Sequence, residues 1–177
     1  MDKIISSNEH FINISNNRFA IIAVVDDRFN EKVNRIDKSL SKYKISIGVG
    51  SPHKILQNSL IEGIEALNIG QKLYEKNRVN FYSKIKLFYY MDDFFFQDEN
   101  EEIMNRIRNE GEELLETFIA YFDMNGEKNK IADKLHIHRN TLNYRLKKIE
   151  EATSLNLENY IDLFQYLSSY ISYKLNN

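Results

Sequence analysis

Apolar residues recur along this chain with two different periods, and the change of period divides it. In the first half, short apolar runs alternate with amphipathic stretches. Arg18–Val25 (RFAIIAVV) is continuous enough to predict a buried strand, and Lys44–Val49 predicts a second, with Ile45, Ile47 and Val49 on alternate positions. Between them Val33, Ile36 and Leu40 recur at helical spacing across Glu31–Leu40. Gly48, Gly50 and Pro52 are expected to break the second strand. Leu56–Asn77 then carries Leu60, Ile64, Leu67 and Leu73 on one helical face, and Val79–Tyr82 is a short closing strand. The predicted order is β-α-β-α-β.

In the second half only the helical period survives. Gln97–Glu113 is acidic and helix-favouring, with Glu99, Glu101, Glu102, Glu110, Glu112 and Glu113 against Arg106 and Arg108. A domain boundary is expected here, giving a first domain over 1–97, a connector over 98–112 and a second domain over 113–177. Glu112–Asn125 predicts a helix that buries Leu114, Leu115, Phe118, Ile119 and Phe122, ended by Gly126 in a left-handed conformation. A final helix is marked by Tyr160, Leu163, Phe164, Leu167, Tyr170 and Ile171, a stripe wide enough to cover its neighbours and to meet a partner.

Between these helices lies the stretch with the clearest chemistry. Lys130–Glu151 (KIADKLHIHRNTLNYRLKKIEE) reads as two short helices joined by a tight turn. Ile131, Leu135 and Ile137 face Leu142, Leu146 and Ile149, and Ala132 sits where the helices cross, small enough for their backbones to approach. The outer face of the second helix holds His138, Arg139, Asn140, Thr141, Asn143, Tyr144, Lys147 and Lys148. Hydrogen-bonding groups at the start of such a helix suit base edges in a major groove, where Arg pairs with guanine and Asn with adenine. Lys147 and Lys148, further along, suit phosphate. His138 is expected to cap the helix and His136 to lie exposed in the turn.

Charge is distributed to match. Glu127–Glu150 has seven cations against three anions, a net +4, in a chain whose net charge is -2. A basic patch is sufficient for nucleic acid, because phosphate neutralisation is screened beyond about 8 Å at physiological salt. The surrounding acidity, -5 over Glu101–Gly126 and -2 over Glu151–Asn177, leaves open a second reading: a non-catalytic protein-interaction or scaffold module with a vestigial helix-turn-helix.

Residues from Gly111 to Leu157 resemble the C-terminal DNA-binding domain of the PucR/CdaR family of bacterial regulators. The resemblance rests on Glu113, Leu114, Leu115, Thr117, Tyr121, Asn125, Gly126, Ala132 and Leu135, then His138 to Leu142, Tyr144 to Leu146, Ile149, Glu150 and Thr153. Ser154 departs from the pattern, which has Gly there. A more distant similarity extends to the Fis nucleoid protein and NtrC-type activators, which bind DNA as dimers. The resemblance implies a transcriptional regulator of sugar-diacid or purine catabolism. It would bind double-stranded, pseudo-palindromic DNA as a homodimer, with Arg139 the leading candidate for base readout.

The segments RFAII, ISIGVG and EALNIGQKLYEKNRVNFY are similar to the C-terminal half of a GGDEF fold, as found before the DNA-binding domain in that family. In cyclases of that fold Gly-Gly-Asp/Glu-Glu-Phe precedes the first strand, its acids holding magnesium. Here the matching positions are Ser15, Asn16, Asn17, Arg18 and Phe19, and an Arg in place of a carboxylate repels a divalent cation. Cyclase activity, magnesium and any other cofactor are therefore not expected. The chain reads as a truncated member without the sensing domain of longer relatives.

Composition narrows the remaining choices. The 177 residues are 42% hydrophobic and 12% aromatic, enough for a core, and contain no cysteine, which excludes disulfides and thiolate chemistry. No early apolar run is long enough for a signal peptide or a membrane span, so a cytoplasmic protein without membrane contact is expected. Ile47–Lys54 lacks the Lys-Ser/Thr of a phosphate loop, and His136 and His138 lack a third metal ligand nearby. Asp26 with Asp27, and Asp92 with Asp93, are read as solvated charges. The aromatic run Phe88–Phe96 is read as packing on the first domain, or as an exposed docking patch. The expected fold class is α+β: a truncated GGDEF-like β-α-β-α-β domain followed by an all-α helix-turn-helix domain.

Overall fold

The computed structural model describes residues 9–15, 17–74, 77–91 and 98–177, without the side chains of 98 and 99. It is an α+β chain with two compact units, Met1–Tyr90 and Met91–Asn177. The first contains strands β1 (Glu9–Ser15) and β2 (Arg18–Ala23), helix α1 (Phe29–Ser39), strand β3 (Ile47–Val49), helix α2 (Leu56–Leu73), strand β4 (Val79–Phe81) and helix α3 (Tyr82–Tyr90). The second is helical: α4 (Asp98–Glu110), α5 (Glu112–Asp123), α6 (Lys128–Leu135), α7 (Arg139–Thr153) and α8 (Tyr160–Asn176).

The predicted strand-helix order is present, preceded by a strand that periodicity did not reveal. β1 pairs antiparallel with β2, Ser15 opposite Arg18, while β3 and β4 form a separate parallel pair. Apolar side chains of β1 and β2 stand on both faces of the hairpin: Phe11, Ile12, Ile14 and Phe19 are all exposed. No clean in-out alternation marks it, so its sequence carries no strand period. Glu9 is buried and its carboxylate lies 2.6 Å from the Arg35 guanidinium, tying β1 to α1.

The face of α2 that approaches β3 also differs from expectation. Leu60 is exposed, and the buried positions on this helix are Ala66 and Gly70. The reason lies in β3. A Cβ on Gly48 would come within 1.9 Å of the Gly63 carbonyl oxygen, so strand and helix meet backbone to backbone through small residues. Gly48 is therefore inside the strand, not its terminator. Beyond the strand Glu62 accepts a hydrogen bond from the Ser51 amide and meets His53 at 2.8 Å, fastening the following loop to α2. A core cluster beside this contact is formed by Ala66, Tyr82 and Ile85 with Ile69 and Phe88 against them. Of the aromatic run, Phe88 thus packs inward while Tyr89 and Tyr90 are exposed. Residues 92–97, including Asp92 and Asp93, lie outside the described residues.

In the second unit the acidic segment supplies α4, whose Met104 and Ile107 are buried and which packs against α5, α7 and α8. Gly111 separates α4 from α5 with φ 137°, and the end of α5 turns through two left-handed residues, Asn125 and Gly126. Leu114, Leu115 and Phe118 of α5 are buried as its periodicity predicts, together with Thr117 and Ala120, whereas Ile119 and Phe122 are only partly buried. α8 corrects the expectation for the last helix. Its core residue is Tyr166, fully buried, with its ring 5.7 Å from that of Phe118 and its hydroxyl bonded to those of Thr153 and the Leu155 carbonyl. Burial pushes the Tyr166 phenol up to about 12, so it remains a neutral hydrogen-bonding group. Of the stripe placed by spacing, Tyr170 and Ile171 are buried, whereas Tyr160, Phe164 and Leu167 are exposed.

Asp123 joins three helices. It accepts from Lys134 of α6 at 2.8 Å and from the Tyr170 hydroxyl of α8 at 2.7 Å, and Lys174 lies 3.9 Å away. Burial alone would raise its pKa, but the hydrogen bonds from Lys134 and Tyr170 outweigh it and hold the carboxyl below its ordinary value. Ser154, where the resembled family has Gly, ends α7 at φ 62°. An L side chain is strained in that region. Ser154→Gly is therefore expected to stabilise the chain by about 0.5 to 1 kcal/mol, seen as a rise in the denaturation midpoint of the second unit. An unchanged or lower midpoint would show that the left-handed cap carries no strain.

Candidate nucleic-acid interface

α6 and α7 are joined by His136, Ile137 and His138, a turn whose geometry follows from its ends. His136 adopts φ 53°, and the Ile137 amide donates back to the Ala132 carbonyl at 3.0 Å, closing α6. The chain then leaves through an extended His138, whose Nδ1 accepts from the Asn140 amide at 3.2 Å and caps α7. His138 is thus the N-cap expected from the sequence, and it is exposed. His136 is exposed in the turn.

One face of α7 is buried and the other is open. Leu142 and Ile149 are fully buried, Leu146 nearly so, and Ile131 and Ala132 of α6 are buried with them. Arg139, Asn140, Thr141, Asn143, Tyr144 and Lys147 are exposed, with His138 ahead of them and Lys148 partly exposed at the rear. All eight residues singled out from the sequence therefore share the outer side of the motif. Arg145 does not. It turns back toward α5, donating to the Glu113 carbonyl and the Thr117 hydroxyl, each at 3.4 Å. This cation orients α7 on its scaffold and does not add to the outer patch.

The remaining cations of the basic segment differ in how they are engaged. Lys130 pairs with Glu127 at 2.7 Å and Lys134 with Asp123 at 2.8 Å. Lys148 lies 3.0 Å and Lys147 3.9 Å from the carboxylate of Glu151. The hydrogen bond that Lys148 donates to Glu151 raises the pKa of its ammonium further above neutrality. Among the described residues, Arg139 and Lys128 have neither an ion pair nor a side-chain hydrogen bond. Both line an open groove between the start of α6 and the start of α7, together with Glu127 and Asn129. Lys128 and Asn129 were not singled out from the sequence. The signal available for them was their position in the first turn of the short helix, where backbone N–H groups are unsatisfied and favour an anion.

A short helix, a turn through a left-handed residue and a longer helix with one polar face define a helix-turn-helix unit. Residues 114–170, within the second unit, match the PucR C-terminal helix-turn-helix domain. The chain is also similar to the proline-responsive transcriptional activator PutR of Bacillus subtilis (strain 168), 26% identical over 173 residues. That match covers 85% of this chain but 42% of PutR, so the chain spans less than half the length of this relative. Among the described residues no helix is long and apolar enough to cross a membrane, and no three His, Cys, Asp or Glu residues converge as a metal site.

Proposed function

We propose that this chain is a sequence-specific DNA-binding transcriptional regulator of a catabolic operon, acting without catalysis and without a cofactor. The observation that carries the reading is the pair of disengaged cations, Arg139 and Lys128, on the groove at the start of a capped, outward-facing helix. In this reading α7 enters the major groove with Arg139 at the bases, Asn140, Thr141, Asn143 and Tyr144 beside it, and His138 at the groove edge. Lys147 and Lys148 follow the phosphates. Two copies bind a pseudo-palindromic site with half-sites about one helical turn apart. The matched domain family and the transcriptional activator PutR both support this class of function. The name of PutR sets an amino acid, proline, beside the sugar diacids and purines that the family resemblance implies as signals. The strand-helix order of the first unit supports its reading as a GGDEF-like domain without the cyclase signature.

The test is selection of bound sites from random duplex DNA, followed by mobility shift across a salt series. With three or four cations per copy on phosphate, log K is expected to fall against log salt with a slope of roughly -5 to -7 for a dimer. The selected sites are expected to be two-fold symmetric. Failure to enrich any sequence would favour a protein-interaction module, and magnesium-dependent turnover of GTP would overturn the non-catalytic part of the proposal.

A further inference from the structure

The two lysines assigned to phosphate are not equivalent to free cations, because one carboxylate holds both. Glu151 is exposed on the last turns of α7, with Lys147 four residues and Lys148 three residues before it on the same side. Glu150, its neighbour, is already used inside the fold, accepting from the Leu157 amide at 2.8 Å. Glu151 has no such structural duty: among the described residues its partners are the two lysine ammonium groups. At the other end of the helix Arg139 has no ion pair, and the acid that lines its groove, Glu127, is paired with Lys130 at 2.7 Å.

We infer that Glu151 is an electrostatic brake on DNA affinity, neutralising the phosphate-contacting end of α7 while leaving its base-reading end unopposed. This rests on the DNA-binding reading of α7. To meet phosphate, Lys147 and Lys148 must leave Glu151, and the carboxylate then remains close to an approaching polyanion. Both effects weaken binding in the same way on every sequence, because phosphate spacing does not depend on sequence. The affinity that remains rests more heavily on Arg139. Such a chain holds non-specific DNA weakly and depends on base contacts to stay bound.

Glu151→Gln keeps the side-chain size and removes the charge. On the full chain it is expected to tighten binding to the selected site and to random duplex alike, by about threefold to tenfold near 0.1 M salt, and to steepen the salt slope by up to about 1. Glu31→Gln, the same change in net charge on exposed α1, serves as the control and is expected to leave affinity within about twofold. Glu151→Ala should reproduce the gain, which separates loss of charge from any new contact by the amide. Unchanged or weaker binding in both Glu151 variants, with helical circular dichroism intact, would overturn the brake. So would an equal gain in Glu31→Gln. If the unaltered chain binds no DNA at any salt, it is the DNA-binding reading that fails; if it binds and Glu151→Gln does not tighten it, only the brake fails.

Discussion

Leu142→Ala is expected to lower the unfolding free energy of the second unit by about 2 to 5 kcal/mol. Leu142 is completely excluded from solvent. It lies in the first turn of α7, directly after the His138 cap, where its amide donates to the His138 carbonyl at 3.1 Å. α7 packs on α4, α5 and α6, so a cavity there removes contacts that several helices share. A domain of this size is stable by only about 5 to 15 kcal/mol, and the loss is a large part of that. Hydrogen exchange of the full chain in mild denaturant should show faster exchange throughout α5, α6 and α7 and unchanged exchange in β3 and α2. A loss below about 1 kcal/mol would mean that the site collapses around the smaller side chain. DNA binding by this variant is expected to fall with the unfolded fraction and to return as denaturant is withdrawn.

The second unit was legible in the sequence because its periodicity and its packing agree. Leu114, Leu115 and Phe118, then Ile131, then Leu142, Leu146 and Ile149, are apolar at helical spacing and are buried. The cap at His138 and the turn ending at Gly126 are local matters that residue type alone decides. α8 was less legible for a physical reason. Its buried side carries Ser168, Ser169 and Ser172 with Tyr166, because α4 packs closely against it. Hydrophobic spacing looks for large apolar residues and so selects Tyr160 and Leu167, which are exposed.

The same failure recurs in the first unit. Where a helix approaches a strand through Gly48 and Gly63, the contact is largely backbone, with the Leu67 Cβ beside it, while Leu60 of α2 is exposed. Small residues at an interface read as breakers or as nothing in a one-dimensional pattern. The outer face of α7 was fully legible by position, yet the engagement of its charges was not. That Arg145 turns inward to Glu113 and Thr117, and that Glu151 holds two lysines, depends on rotamers and on helix placement. Counting the segment as +4 treats seven cations as equals, whereas the structure separates them into anchors, paired charges and two disengaged groups.

That separation sets the expected result of replacing Arg139. Arg139→Ala should weaken binding to the selected site by about 1 to 3 kcal/mol and relax sequence choice there, since a bidentate guanidinium contact to one base is worth that much discrimination. The first residue of α7 is exposed and makes no hydrogen bond or ion pair through its side chain, so removing it leaves no buried group unsatisfied and stability should change by less than about 0.5 kcal/mol. Lys147→Ala provides the contrast. It should weaken all sequences similarly and flatten the salt slope by no more than about 1, and by less than a free lysine would, because Glu151 already opposes it. The measurement is the ratio of selected-site to random-DNA affinity in each variant at matched salt. A lowered ratio for Arg139→Ala with an unchanged ratio for Lys147→Ala assigns base readout to the start of α7. Equal losses on both DNAs for Arg139→Ala would place its guanidinium on phosphate beside Lys128, and sequence choice would then have to come from Asn140, Thr141, Asn143 and Tyr144.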